Sequence, residues 1–320
     1  MRLILFGTGP FAVPSFESLI DDAAHEVVAL VTRPIADGGK RRKTAENPTR
    51  DLGVAKGVTV LDPADANDSE FVKALAEYEA DLLVVCDFGQ ILSNECLAAA
   101  KLGGINLHGS LLPKYRGAAP INWCIYNGDT VTGVTIIHMT PRLDGGPILV
   151  TAQTDIGQTE TTEQIEPRLA ELGVQPVHDA IAMLEKWDGD STIGQPQDQS
   201  LATKAPRLKK SQGLIDWAQS ATQIVNHIRA FQPWPGTFTN WPNAGKQPLR
   251  LIVHVASIAS DVSDAAATPG QVIACDRERL VLQTGDGALS IDQLQPAGKK
   301  AMPIADFLRG RQPAVGDRFA

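Results

Sequence analysis

Short apolar runs alternate with amphipathic stretches along the first half of the chain. The runs are Arg2–Phe6, Val27–Thr32, Val58–Leu61, Asp81–Val85, Gly104–His108 and Gly133–Met139, and the intervening Phe11–Ile20 and Glu70–Tyr78 keep helical spacing. Strands alternating with helices predict βαβ units around a mostly parallel sheet. Ile148–Ile156 predicts a further strand. Ile165, Leu169, Leu172, Val177, Ile181 and Leu184 predict one helix over Thr161–Lys186. Trp187–Ala205, with Asp188-Gly189-Asp190, Gly194 and Pro196, reads as a linker. After Pro206 the texture changes. A helical stretch, Ala218–Ala230, precedes short strand-like runs at Thr237–Trp241, Leu249–Val255, Gln271–Ala274, Arg279–Thr284 and Ala288–Leu294. These predict a small barrel or sandwich, with an oligonucleotide-binding-type barrel among the options.

Composition narrows the class. The 320 residues, 43% hydrophobic and 21% charged, predict about two domains with real cores, at roughly 100–200 residues each. Wholesale disorder, collagen and disulfide scaffolds are excluded. No apolar run reaches the about 18 residues of a membrane span, so no membrane partner is expected. The opening apolar run is broken by Gly7, Gly9 and Pro10 and reads as a first strand rather than a signal peptide. Cys86, Cys96, Cys124 and Cys275 show neither a C-x-x-C pair nor zinc spacing. That pattern predicts free thiols in a reducing compartment, the cytoplasm, and no metal.

Charge is uneven. The chain carries −8 overall, but residues 1–205 hold 16 basic against 28 acidic side chains, and 206–320 hold 13 against 9, net +4. Within the acidic part, Arg33 to Arg50 gathers Arg33, Lys40, Arg41, Arg42, Lys43 and Arg50 against Asp37 and Glu46. A basic loop and a basic second domain suit a polyanion touched at two places. Charge alone favours a merely solvated loop.

Three constellations carry possible chemistry. Gly7-x-Gly9-x-x-Ala12 after strand one matches the loose dinucleotide fingerprint. Pro10 removes an N–H that phosphates would need, so a tight strand-to-helix turn is the better reading. Asn106 and His108 share one face of a buried-looking strand, at the carboxyl end where open α/β sheets place ligands. An amide donor beside an imidazole can stabilise an oxyanion and supply a proton. Asp144, in Leu143-Asp144-Gly145-Gly146, follows the Gly133–Met139 strand at its carboxyl end. It either reaches the same crevice and holds His108 protonated or forms an ordinary Asp-Gly turn. Periodicity does not choose.

The Asn106-x-His108 pair, with Ser110-Leu111-Leu112-Pro113 and the downstream Leu143-Asp144-x-Gly146, resembles the 10-formyltetrahydrofolate-dependent formyltransferases. The resemblance runs nearly end to end. It includes Phe11-Ala12-Val13-Pro14, the basic loop Gly38–Lys43, Lys114-Tyr115-Arg116-Gly117-Ala118-Ala119-Pro120, Asn127-Gly128-Asp129 and Thr132–Ile136. In the second half it includes Ile215-Asp216-Trp217, Arg229-Ala230-Phe231 with Pro233-Trp234-Pro235, and Leu294–Lys300.

The resemblance implies a Rossmann-like catalytic domain over 1–188, a linker over 189–205 and a β-barrel, tRNA-binding domain over 206–320. It implies Asn106, His108 and Asp144 as catalytic residues and Ser110, Leu111, Leu112 and Pro113 as the folate-contacting segment. Asp87 replaces a usual small residue near the pterin and is expected to alter folate contacts. Lys40, Arg41, Arg42 and Lys43 match the loop set against a tRNA acceptor stem. The implied reaction moves the formyl group of 10-formyltetrahydrofolate to the α-amine of methionyl initiator tRNA, by a monomer and without a metal. An enzyme acylating a nucleotide-linked amino sugar shares the fold and the three catalytic residues but has no need of the basic loop. A catalytically idle folate- or RNA-binding protein is the rival from another class, and the intact Asn106, His108 and Asp144 count against it; an NADP-dependent reductase built on Gly7-x-Gly9 is a third reading.

Overall fold

The computed structural model describes residues 1–35, 46–242, 247–262, 264–311 and 313–320. They cluster as two units. One comprises Met1–Pro120, Val131–Asp155 and Ile165–Pro206; the other comprises Ile121–Thr130, Ile156–Gln164 and Arg207–Ala320.

The first unit is built on seven strands: β1 (Arg2–Gly7), β2 (Glu26–Val31), β3 (Val60–Leu61), β4 (Leu82–Cys86), β5 (Gly104–His108), β6 (Val131–His138) and β7 (Ile148–Asp155). Their order is β3-β2-β1-β4-β5-β6-β7. β1 to β5 are parallel, whereas β6 and β7 join antiparallel. Leu3, Ile4, Leu5 and Phe6 of β1 are all fully buried, as a central parallel strand covered on both faces requires. Helices α1 (Val13–Asp21), α2 (Pro48–Ala55), α3 (Ser69–Ala76) and α4 (Asn94–Leu97) connect the parallel strands. Side chains that relieve orphan N–H groups start three of them. Asn47 caps α2, Asp68 caps α3 and Ser93 caps α4.

Helix α5 spans Pro120–Tyr126. The expected single helix over Thr161–Lys186 is two, α6 (Thr162–Leu172) and α7 (Val174–Leu184). Pro176 has no N–H to return to the Leu172 carbonyl. It falls in the first turn of α7, where a missing N–H costs little, whereas Pro167 is carried inside α6. Gly173 at the break lies so close to β5 that a Cβ would stand 2.9 Å from both Leu107 methyls.

The second unit contains α8 (Ala221–Ala230), capped by Ser220, and strands β8 (Thr237–Trp241), β9 (Leu249–Ile258), β10 (Val272–Cys275), β11 (Leu280–Gln283), β12 (Ala288–Pro296) and β13 (Met302–Pro303), then α9 (Ile304–Gly310). The sheet order is β10-β11-β12-β9-β8, all antiparallel, with β13 on β12. The two edge strands are bridged by the last residues. Val272 N–H donates to the Asp317 carbonyl, Phe319 N–H to Gly270, and Ala320 exchanges both backbone bonds with Asn240. This segment satisfies both edges and makes the sheet barrel-like. Trp241, Leu251, Leu282, Ile291, Phe307 and Phe319 fill its core.

The four cysteines are free thiols. Among the described residues, no helix is long and apolar enough to cross a membrane.

Candidate active site

The β1 loop has a local explanation. Gly7 leaves room for Phe16 of α1 and the Cys86 carbonyl, which a Cβ would approach to 2.6 and 2.9 Å. Gly9 leaves room for the carboxylate of Asp87, whose oxygen would stand 1.8 Å from a Cβ there. Asp87 accepts the Gly9 N–H, so the carboxylate occupies the donor that a phosphate would use. Asp87 follows β4 in the left-handed region, at φ 48°. Asp87 is exposed to water, although Gly9, Arg33 and Glu166 lie around its carboxyl. Loss of bulk solvation raises its carboxyl, against the lowering effects of Arg33 and the Gly9 N–H. Arg33 donates to the neighbouring Phe88 carbonyl. Glu166 of α6 faces the same region, and its carboxyl is raised by burial and then by the charge of Asp87.

β5 presents Asn106 and His108 on one face and Leu107 on the other. The chain after His108 turns through Ser110–Pro113 with a cis Leu112–Pro113 bond. Fully buried Thr135 on β6 pins this turn. Its hydroxyl donates to the Ser110 carbonyl at 2.7 Å and accepts the Leu112 N–H at 3.0 Å. Leu111 packs on Gly133, where a Cβ would lie 2.7 Å from its methyl. Ser110 Oγ donates to the Lys114 carbonyl. The return leg brings the Tyr115 carbonyl to 2.9 Å from His108 Nε2. A carbonyl only accepts, so Nε2 carries the hydrogen and Nδ1 is turned toward the site.

Asp144 arrives by a different route from the one its sequence position predicts. β6 is antiparallel to β5, and His138 pairs with Ile105. The carboxyl end of β6 therefore lies at the opposite end of β5 from His108. The loop doubles back: Gly146 sits against the His138 carbonyl, only 1.8 Å from where a Cβ would stand, and Asp144 takes φ 47°. Its Oδ2 then accepts the Gly117 N–H at 2.8 Å and lies 3.8 Å from His108 Nδ1. Oδ1 lies 3.4 Å from Asn106 Nδ2. His108 and Asp144 are 6% and 10% exposed, so these groups meet largely out of water.

Sequence reasoning missed the segment that braces this arrangement. Residues 195–205 lie along the two loops rather than apart from them. Gln195 exchanges both backbone bonds with Ile148, Thr203 Oγ1 accepts the Tyr115 N–H, and Ala205 N–H donates to Arg116. Gln197 donates to the carbonyls of Asp144 and Gly146 at 2.8 and 2.7 Å and accepts from Arg116. Only the turn residues around Gly194 and Pro196 marked this stretch, and they argued for a linker.

Thus Asn106, His108 and Asp144 are brought together, Ser110–Pro113 form the adjoining turn, and Asp87 ends the neighbouring strand. Lys40, Arg41, Arg42 and Lys43 lie outside the described residues. The motifs of the second half are mainly structural. Ile215 and Trp217 are core residues. Phe231 stacks on Tyr126 and meets His227 edge-on.

The chain matches the formyl transferase family over residues 1–181 and the formyl transferase C-terminal domain over 207–312. It is 43% identical to methionyl-tRNA formyltransferase of Rhodopirellula baltica, covering 100% of this chain and 96% of that protein. It is 39% identical to the Moorella thermoacetica methionyl-tRNA formyltransferase, covering 99% and 98%. Among solved structures, the Helicobacter canadensis N-formyltransferase shares the fold with a TM-score of 0.65 at 16% identity, over 92% of this chain and 100% of that one. HypX of Aquifex aeolicus, solved with tetrahydrofolic acid, shares it with a TM-score of 0.58 at 16% identity, over 100% and 50%. With both family domains matched and relatives aligned over essentially its whole length, the chain belongs to the formyltransferase family.

Proposed function

We propose that the chain transfers the formyl group of 10-formyltetrahydrofolate to the α-amine of methionine on initiator tRNA, as a cytoplasmic monomer. The observation that carries the reading is the convergence of Asn106 Nδ2, His108 Nδ1 and the Asp144 carboxylate at the end of β5. The carrier supplies an activated formyl group on N10; everything else falls to the protein and the amine. The α-amine of an aminoacyl ester is electron-poor and readily neutral, so no enzyme nucleophile is needed.

Asn106 Nδ2 and His108 Nδ1, the latter in the ring form that carries hydrogens on both nitrogens beside the Asp144 carboxylate, offer two N–H donors to the formyl oxygen as it gains negative charge. One such donor contributes about 3–4 kcal/mol in a water-poor site. The bond from the α-nitrogen to the formyl carbon forms as the bond from that carbon to N10 breaks. The α-nitrogen loses one proton and N10 gains one. Asp144 takes the first and His108 Nδ1 gives the second. A proton then passes from Asp144 to His108, which restores both. Nε2 keeps its hydrogen on Tyr115 throughout. Ser110–Pro113 and Asp87 line the folate side. Lys40, Arg41, Arg42 and Lys43, with the basic second unit, bind tRNA phosphates rather than bases.

The test is a formylation assay with 10-formyltetrahydrofolate and charged initiator tRNA. The expected result is formyl-methionyl-tRNA from the native chain, near-abolished by His108→Ala and weakened in a salt-dependent way by Arg42→Ala. Formylation of a nucleotide-linked amino sugar, with none of the tRNA, would overturn the assignment of the acceptor.

A further inference from the structure

We propose that Gln197 is the positioning residue for Asp144, and that residues 195–205 are a working part of the active site. The inference rests on the reading of Asp144 given above and deepens it.

Asp144 is difficult to place. Its loop leaves β6 at the far end from His108 and folds back across β5. Two conformations that oppose ordinary packing allow the return: a left-handed Asp144 and a glycine at 146 pressed against the His138 carbonyl. Such a loop persists only when its surroundings over-determine it. The side chain of Asp144 makes one good bond, to the Gly117 N–H; its distances to Asn106 and His108 are longer, 3.4 and 3.8 Å. The geometry therefore has to be imposed through the backbone.

Gln197 imposes it. Its amide nitrogen has two hydrogens, and both are used on loop carbonyls, those of Asp144 and Gly146. Its amide oxygen accepts from the Arg116 guanidinium, and Arg116 immediately precedes Gly117, the donor to Asp144. One buried amide thus ties the Asp144 loop to the loop after β5, using all its donors. Buried amides so committed cannot rotate without leaving a donor or acceptor unpaired. Gln199, nearby on the same segment, accepts from Arg116 and donates to the Gln197 carbonyl but reaches neither Asp144 nor Gly146, so it controls for bracing of the segment without contact to the Asp144 loop. It is the internal control.

The test is a double-mutant cycle in single-turnover formylation of charged initiator tRNA. Gln197→Ala is expected to lower the rate by about 10–100-fold, the scale of an ångström-sized misplacement of a reacting group, with KM for both substrates little changed. In an Asp144→Ala background, the same change is expected to cost less than about threefold, because there is no longer a carboxylate to position. Gln199→Ala is expected to stay within about threefold of native. If Gln197→Ala does not fold, Gln197→Glu takes its place. It keeps the length and the Arg116 partner but turns an acceptor toward the two carbonyls, and the same pair of results is expected. A loss of equal factor in both backgrounds, or native rates in the Gln197 variants, overturns the proposal. Native rates in Asp144→Ala alone overturn the role of Asp144 and this inference with it. Failure of the native chain to formylate the tRNA identifies the acceptor assignment as the fault, and the cycle is then run on the acceptor that reacts.

Discussion

Replacing Asp144 with Asn tests the site at the level of single hydrogen bonds. The backbone tolerates the change, because Asn is among the few residues at ease near φ 47°. The side chain keeps its size but exchanges one oxygen for an N–H donor pair. The remaining oxygen goes to the Gly117 N–H, the 2.8 Å bond. The new amide then faces two groups that were themselves donors, Asn106 Nδ2 at 3.4 Å and His108 Nδ1 at 3.8 Å. Asn106 relieves the conflict by turning its own oxygen inward, which takes its N–H away from the formyl oxygen. The cost to the transition state is at least one oxyanion donor, about 3–4 kcal/mol, or roughly 10²–10³ in rate, and loss of the carboxylate that takes the proton of the α-nitrogen adds to it. The cost to folding is the difference between a charged and a neutral hydrogen bond on Gly117, about 1 kcal/mol. Formylation at saturating substrates and urea unfolding of the same preparation separate the two. The rate should collapse with KM nearly unchanged, since the lost interaction is made chiefly in the transition state. Retention of more than a tenth of the native kcat, or a loss confined to KM, would refute the reasoning.

Other consequences follow from packing and from titration. Gly117→Ala forces a side chain into φ 127° and a Cβ to 2.5 Å from the Ala205 carbonyl; urea unfolding should show about 2–4 kcal/mol of lost stability, with reduced formylation. His227 is lowered by burial to about 4. The unfolded chain takes up its proton first, so up to about 3 kcal/mol of stability, present above the ordinary histidine range near 6.5, is lost as pH falls through about 4; His227→Gln should flatten that dependence in urea titrations followed by tryptophan fluorescence. Asp87 is raised by burial, so its ionised form is the less comfortable one in the fold. Asp87→Asn should therefore raise the melting temperature more at about pH 7 than below the ordinary carboxylate range near 3.8, where both states are protonated, and an equal shift at both would contradict that origin.

Much of the fold was legible because local patterns and tertiary packing agree. β1 is apolar on both faces and lies at the centre of its sheet; Asn106 and His108, two apart, do share a face. Where legibility ended, a physical reason is visible each time. Periodicity carried one helix through Pro176 because apolar spacing continues across the break, although the proline has no N–H for Leu172. Residues 316–320 bridge the barrel edges through backbone groups, which no side-chain pattern reports. Asp144 was visible as an Asp-Gly turn, but its destination depends on β6 running antiparallel, a property of pairing and not of composition. Gln197 gave no signal, because a lone glutamine among turn residues looks like solvated chain.

The glycine loop after β1 shows how one sheet can be directed to a different ligand. In a dinucleotide-binding fold the N–H groups of this loop and the following helix receive a pyrophosphate. Here Pro10 has no N–H, the Gly9 N–H is taken by Asp87, and a carboxylate fills the place of the anion. A phosphate brought to this point would meet negative charge at close range and a shortage of donors. The glycines are nevertheless required, Gly7 by Phe16 and Gly9 by Asp87 itself, so the fingerprint survives for packing reasons alone. Donors still in need of a strong acceptor gather two strands away from β1, on β5, where Asn106 and His108 converge. Closing the anion site at the centre of the sheet and opening a donor pair beyond β4 are thus complementary halves of one adaptation, from binding a phosphate to stabilising a transient oxyanion.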